Sequence, residues 1–164
     1  MALRSFGVVV LFLTLVTLLV AADTAKDPKK VDLSDVEQAI LDATNKEREK
    51  EKLPPLKPNK TLCDVARAHS ANMAQQGKME HELDGKNPAD RVKAAGYVYI
   101  HMAENIAVSD GEKPEGIVKA WMDSKEHKEN ILNEKYTEIG IGIGKNDKGE
   151  TYYTQEFGTP KRKK

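Results

Sequence analysis

Apolar positions recur every three or four residues in the first half of the chain and every second residue near its end, so helical periodicity gives way to extended periodicity. Ser34 and Glu37 have capping-box spacing, after which Val36, Ile40, Leu41 and Thr44 fall on one side of a first helix. Lys46 to Lys52 reads as the solvated end of that helix, with opposite charges at i,i+3 such as Glu47 and Lys50, and Pro54-Pro55 stops it. Asn59 or Thr61 opens a second helix that runs to about Gln76, with Gly77 in the C-cap place. Its stripe is Leu62, Val65, Ala66, His69 and Met73. A histidine on such a stripe reads as a hydrogen-bonded core or boundary residue in preference to a ligand.

His81 follows in a polar loop. Asn87-Pro88 starts a short third helix, with proline in the N1 place, and Gly96 closes it. Tyr97 to Ile100 is β-branched and aromatic, and leads into Met102 to Ala107, an apolar run interrupted by Glu104 and Asn105. Polar groups in such a run are costly if buried alone, so both residues need specific partners. Pro114 opens a fourth helix with Ile117, Val118, Trp121 and Met122 inward. Ser124 to His127 ends it, which puts His127 where the helix breaks into a loop, and Ile131-Leu132 drops back into the core. From Tyr136 to Gly144 the alternation is strict, with Ile139, Ile141 and Ile143 on one face and Gly140, Gly142 and Gly144 on the other. Three glycines on one face predict the close approach of a helix or another backbone. Lys145 to Gly149 is a hairpin loop, and Thr151 to Phe157 is the returning strand. Helices followed by a late antiparallel hairpin predict a layered α+β domain.

The first residues stand outside this pattern. Arg4, the aliphatic run Val8 to Val20 and the small residues Ala21 and Ala22 have the form of a cleaved secretory signal over residues 1–22. The expected location is therefore secreted, periplasmic or extracellular. The run is shorter than the roughly 20 residues a bilayer span demands, so no transmembrane segment is expected in the mature chain. Residues 23–33 read as a charged linker, 34–160 as one domain and 161–164 as a basic tail.

Cys63 is the single cysteine and cannot close an internal bridge. It lies in a predicted helix without a patterned base, so it reads as an inert packing residue, and no disulfide-linked dimer is expected. Formal charge is zero, and loss of Arg4 leaves an excess of one acid, which argues against a nucleic-acid partner. The tail Lys161-Arg162-Lys163-Lys164 reads as solvated, with weak attraction to an anionic surface as the other reading. Asn59-Lys60-Thr61 is a formal glycosylation sequon.

Several segments together resemble the CAP superfamily (cysteine-rich secretory proteins, antigen 5 and pathogenesis-related 1 proteins; the SCP domain) in its compact bacterial form. The resemblance spans about Leu33 to Gly158 and rests on Asn45-Lys46-Glu47-Arg48, His81, Ala103-Glu104-Asn105-Ile106, and the block Trp121, Ser124, His127, Asn130-Ile131-Leu132. Ile139-Gly140-Ile141-Gly142 and Tyr153-x-Gln155-x-Phe157 complete it. It implies a three-layer α-β-α sandwich with a central antiparallel sheet, and a cleft where His81, Glu104 and His127 converge, lined also by Asn105 and Ser124. Trp121, Gly140 and Gly142 would be structural. Two positions depart from the family pattern. Ala103 stands where glycine is usual, which tests whether that position needs φ > 0. Ser124 stands where many animal members supply a second glutamate.

Two imidazoles and a carboxylate can ligate zinc with a position left for water, so His81, His127 and Glu104 are candidate metal ligands. The same three can equally form a metal-free polar cluster. No second histidine follows at zincin spacing, and no nucleophile elbow surrounds Ser124, which reads instead as capping or lining the helix through His127. His101 lies outside the family motif and reads as a surface residue. The leading expectation is a secreted binding module for a lipid, glycan or protein partner. A metal-dependent hydrolase, with Glu104 as base and the histidines as ligands, is one alternative, and a purely structural triad is another.

Overall fold

The computed structural model describes residues 31–161, and the expected signal sequence, most of the linker and the end of the basic tail lie outside them. Nine elements follow one another: α1 (Asp35–Lys50), β1 (Lys57–Pro58), α2 (Lys60–Gln76), α3 (Pro88–Ala94), β2 (Tyr99–Ser109), α4 (Pro114–Asp123), α5 (Lys125–Ile131), β3 (Glu138–Lys145) and β4 (Thr151–Pro160). Their boundaries carry the chemistry expected of them. Ser34 and Glu37 form the capping box of α1, the Asn59 side chain accepts from Leu62 N at α2, and Gly77 closes α2 at φ 64. Asn87 and Asp90 form a second capping box at α3.

The sheet runs β1-β3-β4-β2. Its three long strands are antiparallel neighbours, whereas the two-residue β1 joins β3 in parallel, so the sheet is mixed at that edge. Strand alternation sends the two faces of this sheet to different helices. Ile139 and Ile141 of β3, with Tyr153 and Phe157 of β4, pack with Ile40 and Leu41 of α1, Ile117, Val118 and Trp121 of α4, and Ile131 of α5. The other face receives α2, completing an α-β-α sandwich.

The glycines of β3 set how close α2 comes. A Cβ at Gly140 would collide with the backbone of Leu62, one at Gly142 with that of Ala66 and Arg67, and one at Gly144 with that of Ser70 and Ala71. Two strand residues advance about 6.6 Å and four helical residues about 6 Å, so alternate glycines keep step with successive turns of α2 along the contact. Ser70 Oγ then reaches Gly142 O at 3.0 Å and Thr154 Oγ1 at 2.8 Å.

Three expectations are corrected. Val36 is 42% exposed, and the buried position in that turn belongs to Glu37, whose two carboxylate oxygens take Arg67 of α2 at 2.6 and 2.7 Å. An ion pair between helices thus occupies the place assigned to an aliphatic contact. The end of α1 is not wholly solvated, because Arg48 is 1% exposed and its guanidinium donates to Pro54 O (3.0 Å), Ile131 O (2.8 Å), Asn133 O (2.9 Å) and Tyr136 O (3.4 Å). These carbonyls follow helix ends and turns, where the backbone leaves acceptors open; of the four, Asn133 O also accepts from Tyr136 N at 3.4 Å. Finally, the chain does not loop at His127. It breaks at Ser124, which is extended at ψ 125, and resumes as α5 with His127 inside it.

Candidate functional site

β2 is the edge strand of the sheet, and this sets the site's layout. Glu104 and Asn105 are successive residues of β2, so their side chains leave on opposite faces and meet different helical layers. Both are buried.

Glu104 looks toward α2 and α3. Its carboxylate accepts from Arg91 at 2.5 Å and pairs with His81 Nδ1 at 2.7 Å, while His69 Nε2 lies 3.8 Å away. Arg91 is held in turn, since its other terminal nitrogen donates to His81 O at 2.8 Å and Lys86 O at 2.9 Å. The capped α3 therefore carries a cation that ties the His81 loop to β2. His69 occupies the core as its stripe position implies, but neither ring nitrogen makes a hydrogen bond of good geometry. Burial lowers its pKa, helped by Arg91 and His81 and opposed by Glu104 and the Glu80 backbone.

Directly across from Glu104, in register on β4, stands Glu156, fully buried. Two adjacent buried carboxyls cannot both ionise cheaply. Burial pushes the Glu156 carboxyl well above the usual range, and the charge of Glu104 adds to it, against the pull of Arg91. Neither Glu156 oxygen has a hydrogen-bond partner of good geometry, so an ionised carboxylate there would be uncompensated. For Glu104, burial pushes upward, but His81, Glu156, Arg91 and His69 together hold it below the ordinary value. These opposite directions favour the charge on Glu104 and the neutral form at Glu156.

Asn105 looks the other way. Its Nδ2 donates to His127 O at 3.1 Å and Gln155 Oε1 at 3.3 Å, and its Oδ1 accepts from Asn130 Nδ2 at 2.8 Å. Gln155 passes the network on to Thr44 Oγ1 of α1 at 2.8 Å. One buried amide therefore fixes α5, and with it the backbone of His127, against the sheet. Trp121 braces the preceding helix by donating its indole N–H to Ile106 O at 3.0 Å. His127 is part-buried, and its pKa is lowered by burial and by His81, with Glu126 opposing.

Among the described residues no ion pair joins His127 to Glu104, and no hydrogen bond joins Ser124 to His127. Ser124 holds the N-cap position of α5 without a side-chain cap bond. Ala103 has no positive φ, so β2 accepts alanine there without strain. Asn59 caps α2 and also donates to Glu138 at 2.9 Å, which commits the side chain of the formal sequon. Cys63 is fully buried, and burial raises its thiol pKa.

Glu104 spends its oxygens on His81 and Arg91, and among the described residues no three His, Cys, Asp or Glu side chains are grouped as an ion would need. A metal held here by His81, Glu104 and His127 would need the Glu104 carboxylate to give up Arg91 or His81. Sequence reasoning missed Arg91 and Glu156 as members of the cluster. Arg91 sits on a short polar helix, and Glu156 follows Thr154 and Gln155 in a strand of mixed polarity, so neither stood out as a buried charge.

Residues 41–157 match the Cysteine-rich secretory protein family, CAP, and the chain belongs to that family. The chain is 38% identical to the uncharacterized protein YkwD of Bacillus subtilis over 82% of its own length, and spans 50% of that relative's length. Its fold is similar to that of an outer surface protein from Borrelia burgdorferi, with TM-score 0.73 and 24% identity over 80% of this chain and 97% of that one. It is also similar to an extracellular protein containing a SCP domain from Bacillus anthracis, with TM-score 0.63 and 28% identity over 79% of this chain and 45% of that one.

Proposed function

We propose that this is a secreted CAP-domain binding module whose recognition cleft lies over the edge of β2, with His81 and His127 as the groups offered to a lipid, glycan or protein ligand. The observation that carries this reading is the state of Glu104. Its side chain is 1% exposed and already compensated by Arg91 and His81. A general base must reach the proton it removes, and a carboxylate so enclosed is placed to hold His81 in position. The half-exposed imidazole of His81 and the part-exposed one of His127 remain free to bind. Secretion is supported by the form of residues 1–22 and by the extracellular and outer-surface nature of the two similar structures.

The experiment is native mass spectrometry of the protein recovered from the medium, comparing the parent with a His81→Ala, His127→Ala double variant, together with zinc calorimetry on both. A ligand retained by the parent and lost by the double variant supports the module. Zinc uptake that Glu104→Gln abolishes, with hydrolysis following it, would replace this reading by the metal hydrolase. A double variant that keeps its ligand but loses melting temperature would make the histidines structural.

A further inference from the structure

Helices α2 and α3 leave between them a cavity of about 480 Å³, with the turn from Leu83 to Lys86 as its third wall. That volume is in the range of small-molecule sites. Ala68 of α2 and Ala94 and Ala95 at the end of α3 line it and are exposed, so methyl groups border a slot that longer side chains would close. The turn is fixed. Lys86 N donates to Leu83 O at 3.0 Å, and the carboxylate of Asp84 accepts from Asn72 Nδ2 at 2.8 Å and Gln76 Nε2 at 3.0 Å. Asp84 lies in the left-handed region at φ 53, where a non-glycine residue is kept only when its surroundings hold it.

Two buried polar groups in the lining are left incomplete by the fold. The His69 side chain is 0% exposed, and neither ring nitrogen has a hydrogen bond of good geometry, the Glu80 backbone included. Arg91 spends one terminal nitrogen on His81 O and Lys86 O and the other on Glu104, while its buried Nε has no acceptor. Both residues line the cavity. Unpartnered buried polar atoms are costly, and beside an opening they are groups that an entering ligand can complete. Charge in the lining balances, Asp64 and Asp84 against Lys86 and Arg91, so no excess selects an ion. We propose that this cavity binds a small neutral aromatic alcohol, with the ring between the alanine methyls and the hydroxyl bonded to Arg91 Nε and His69. An imidazole whose charged form is disfavoured by burial carries one N–H and one lone pair, and a hydroxyl meets either. A carboxylate would face Asp64 and Asp84, and a ring without a hydroxyl would leave the nitrogens incomplete. Neither His81 nor His127 lines this cavity, so the cleft and the pocket can fail independently.

The test uses residues 31–164, which form a compact unit and contain all the packing described above. Amide chemical shifts are followed by NMR as para-cresol is added, with para-toluate and para-methylanisole as the charged and the non-donating comparisons. Saturable shifts are expected at Ala68, Leu83 and Ala94 with para-cresol, and binding about tenfold weaker with each of the other two. Ala68→Phe fills the slot from an exposed position. It should keep the parent melting temperature and weaken para-cresol binding by about tenfold or more. His69→Phe should weaken it by about tenfold and narrow its lead over para-methylanisole. Should His69→Phe fail to fold, the ratio of the two affinities in the parent decides the polar contact. Absence of saturable shifts with para-cresol, equal binding of the three probes, or unchanged affinity in Ala68→Phe overturns the proposal. Shifts centred on His81 and His127 would move the probe to the cleft and overturn it as well.

Discussion

Glu104 and Glu156 face each other across β2 and β4, both buried, with Arg91 bonded to the first and 4.0 Å from the second. The Arg91 guanidinium and a Glu156 carboxyl pushed toward its neutral form make this pairing tolerable. Glu156, with its raised pKa, keeps a proton that the unfolded chain surrenders above about pH 4. Native protein therefore binds more protons than unfolded protein above that point, and stability is lost as pH rises toward the Glu156 pKa. Glu104 behaves oppositely: its contribution is present above the ordinary glutamate range and lost as pH falls through its lowered pKa.

Glu156→Gln should keep a donor toward Glu104 and remove the titration. Its unfolding free energy should match the parent's in mild acid and exceed it increasingly as pH rises, by about 1.4 kcal/mol for each unit by which Glu156 is raised. Calorimetric melts across pH check this, and a variant with the parent's slope would refute the raised pKa of Glu156.

Asn105→Ala would leave Gln155 Oε1 without its donor, take from Asn130 Nδ2 the shorter of its two hydrogen bonds and release the carbonyl of His127. A loss of about 2–4 kcal/mol is expected in chemical denaturation. Amide hydrogen exchange should rise first in α5, because that helix is the element the amide pins.

His127 should titrate below an ordinary histidine in NMR spectra of its ring protons. His81→Gln removes one of the two causes and should move the midpoint upward. An unmoved midpoint would mean that burial alone sets it and that the two imidazoles are not close.

Gly142→Ala forces a methyl group into the backbone of α2 at Ala66 and Arg67, where neither partner is a side chain that can swing away. Destabilisation of about 3 kcal/mol or more is expected in a urea melt. Gly149→Ala, with open space around it but φ 91, should cost about 1 kcal/mol from backbone strain alone.

Arg48→Met preserves much of the side-chain volume but leaves the carbonyls of Ile131, Asn133 and Tyr136 without their donor. A loss of about 3 kcal/mol or more is expected, measured by denaturant midpoint. Lys50→Met, which breaks only an exposed pair with Glu47, should change stability by less than about 0.5 kcal/mol.

Local chemistry in the sequence determined the elements and one packing contact. The capping residues Ser34, Asn59 and Asn87 act through hydrogen bonds spanning three residues, so their meaning is complete within the segment. The alternation of Ile139 to Gly144 likewise carried its own consequence, since a face without side chains can only be useful to a close neighbour. Tertiary structure decided the partners of buried charge. Arg48 and Arg91 look like solvated residues on polar helix faces, and Glu37 like part of a cap, until the fold brings carbonyls and carboxylates from distant segments to them. The edge position of β2 was equally hidden, because strand order depends on which pairings the whole chain can close. That position sends Glu104 and Asn105 to opposite helical layers, and places His81 and His127 on either side of a strand that periodicity could describe but not locate.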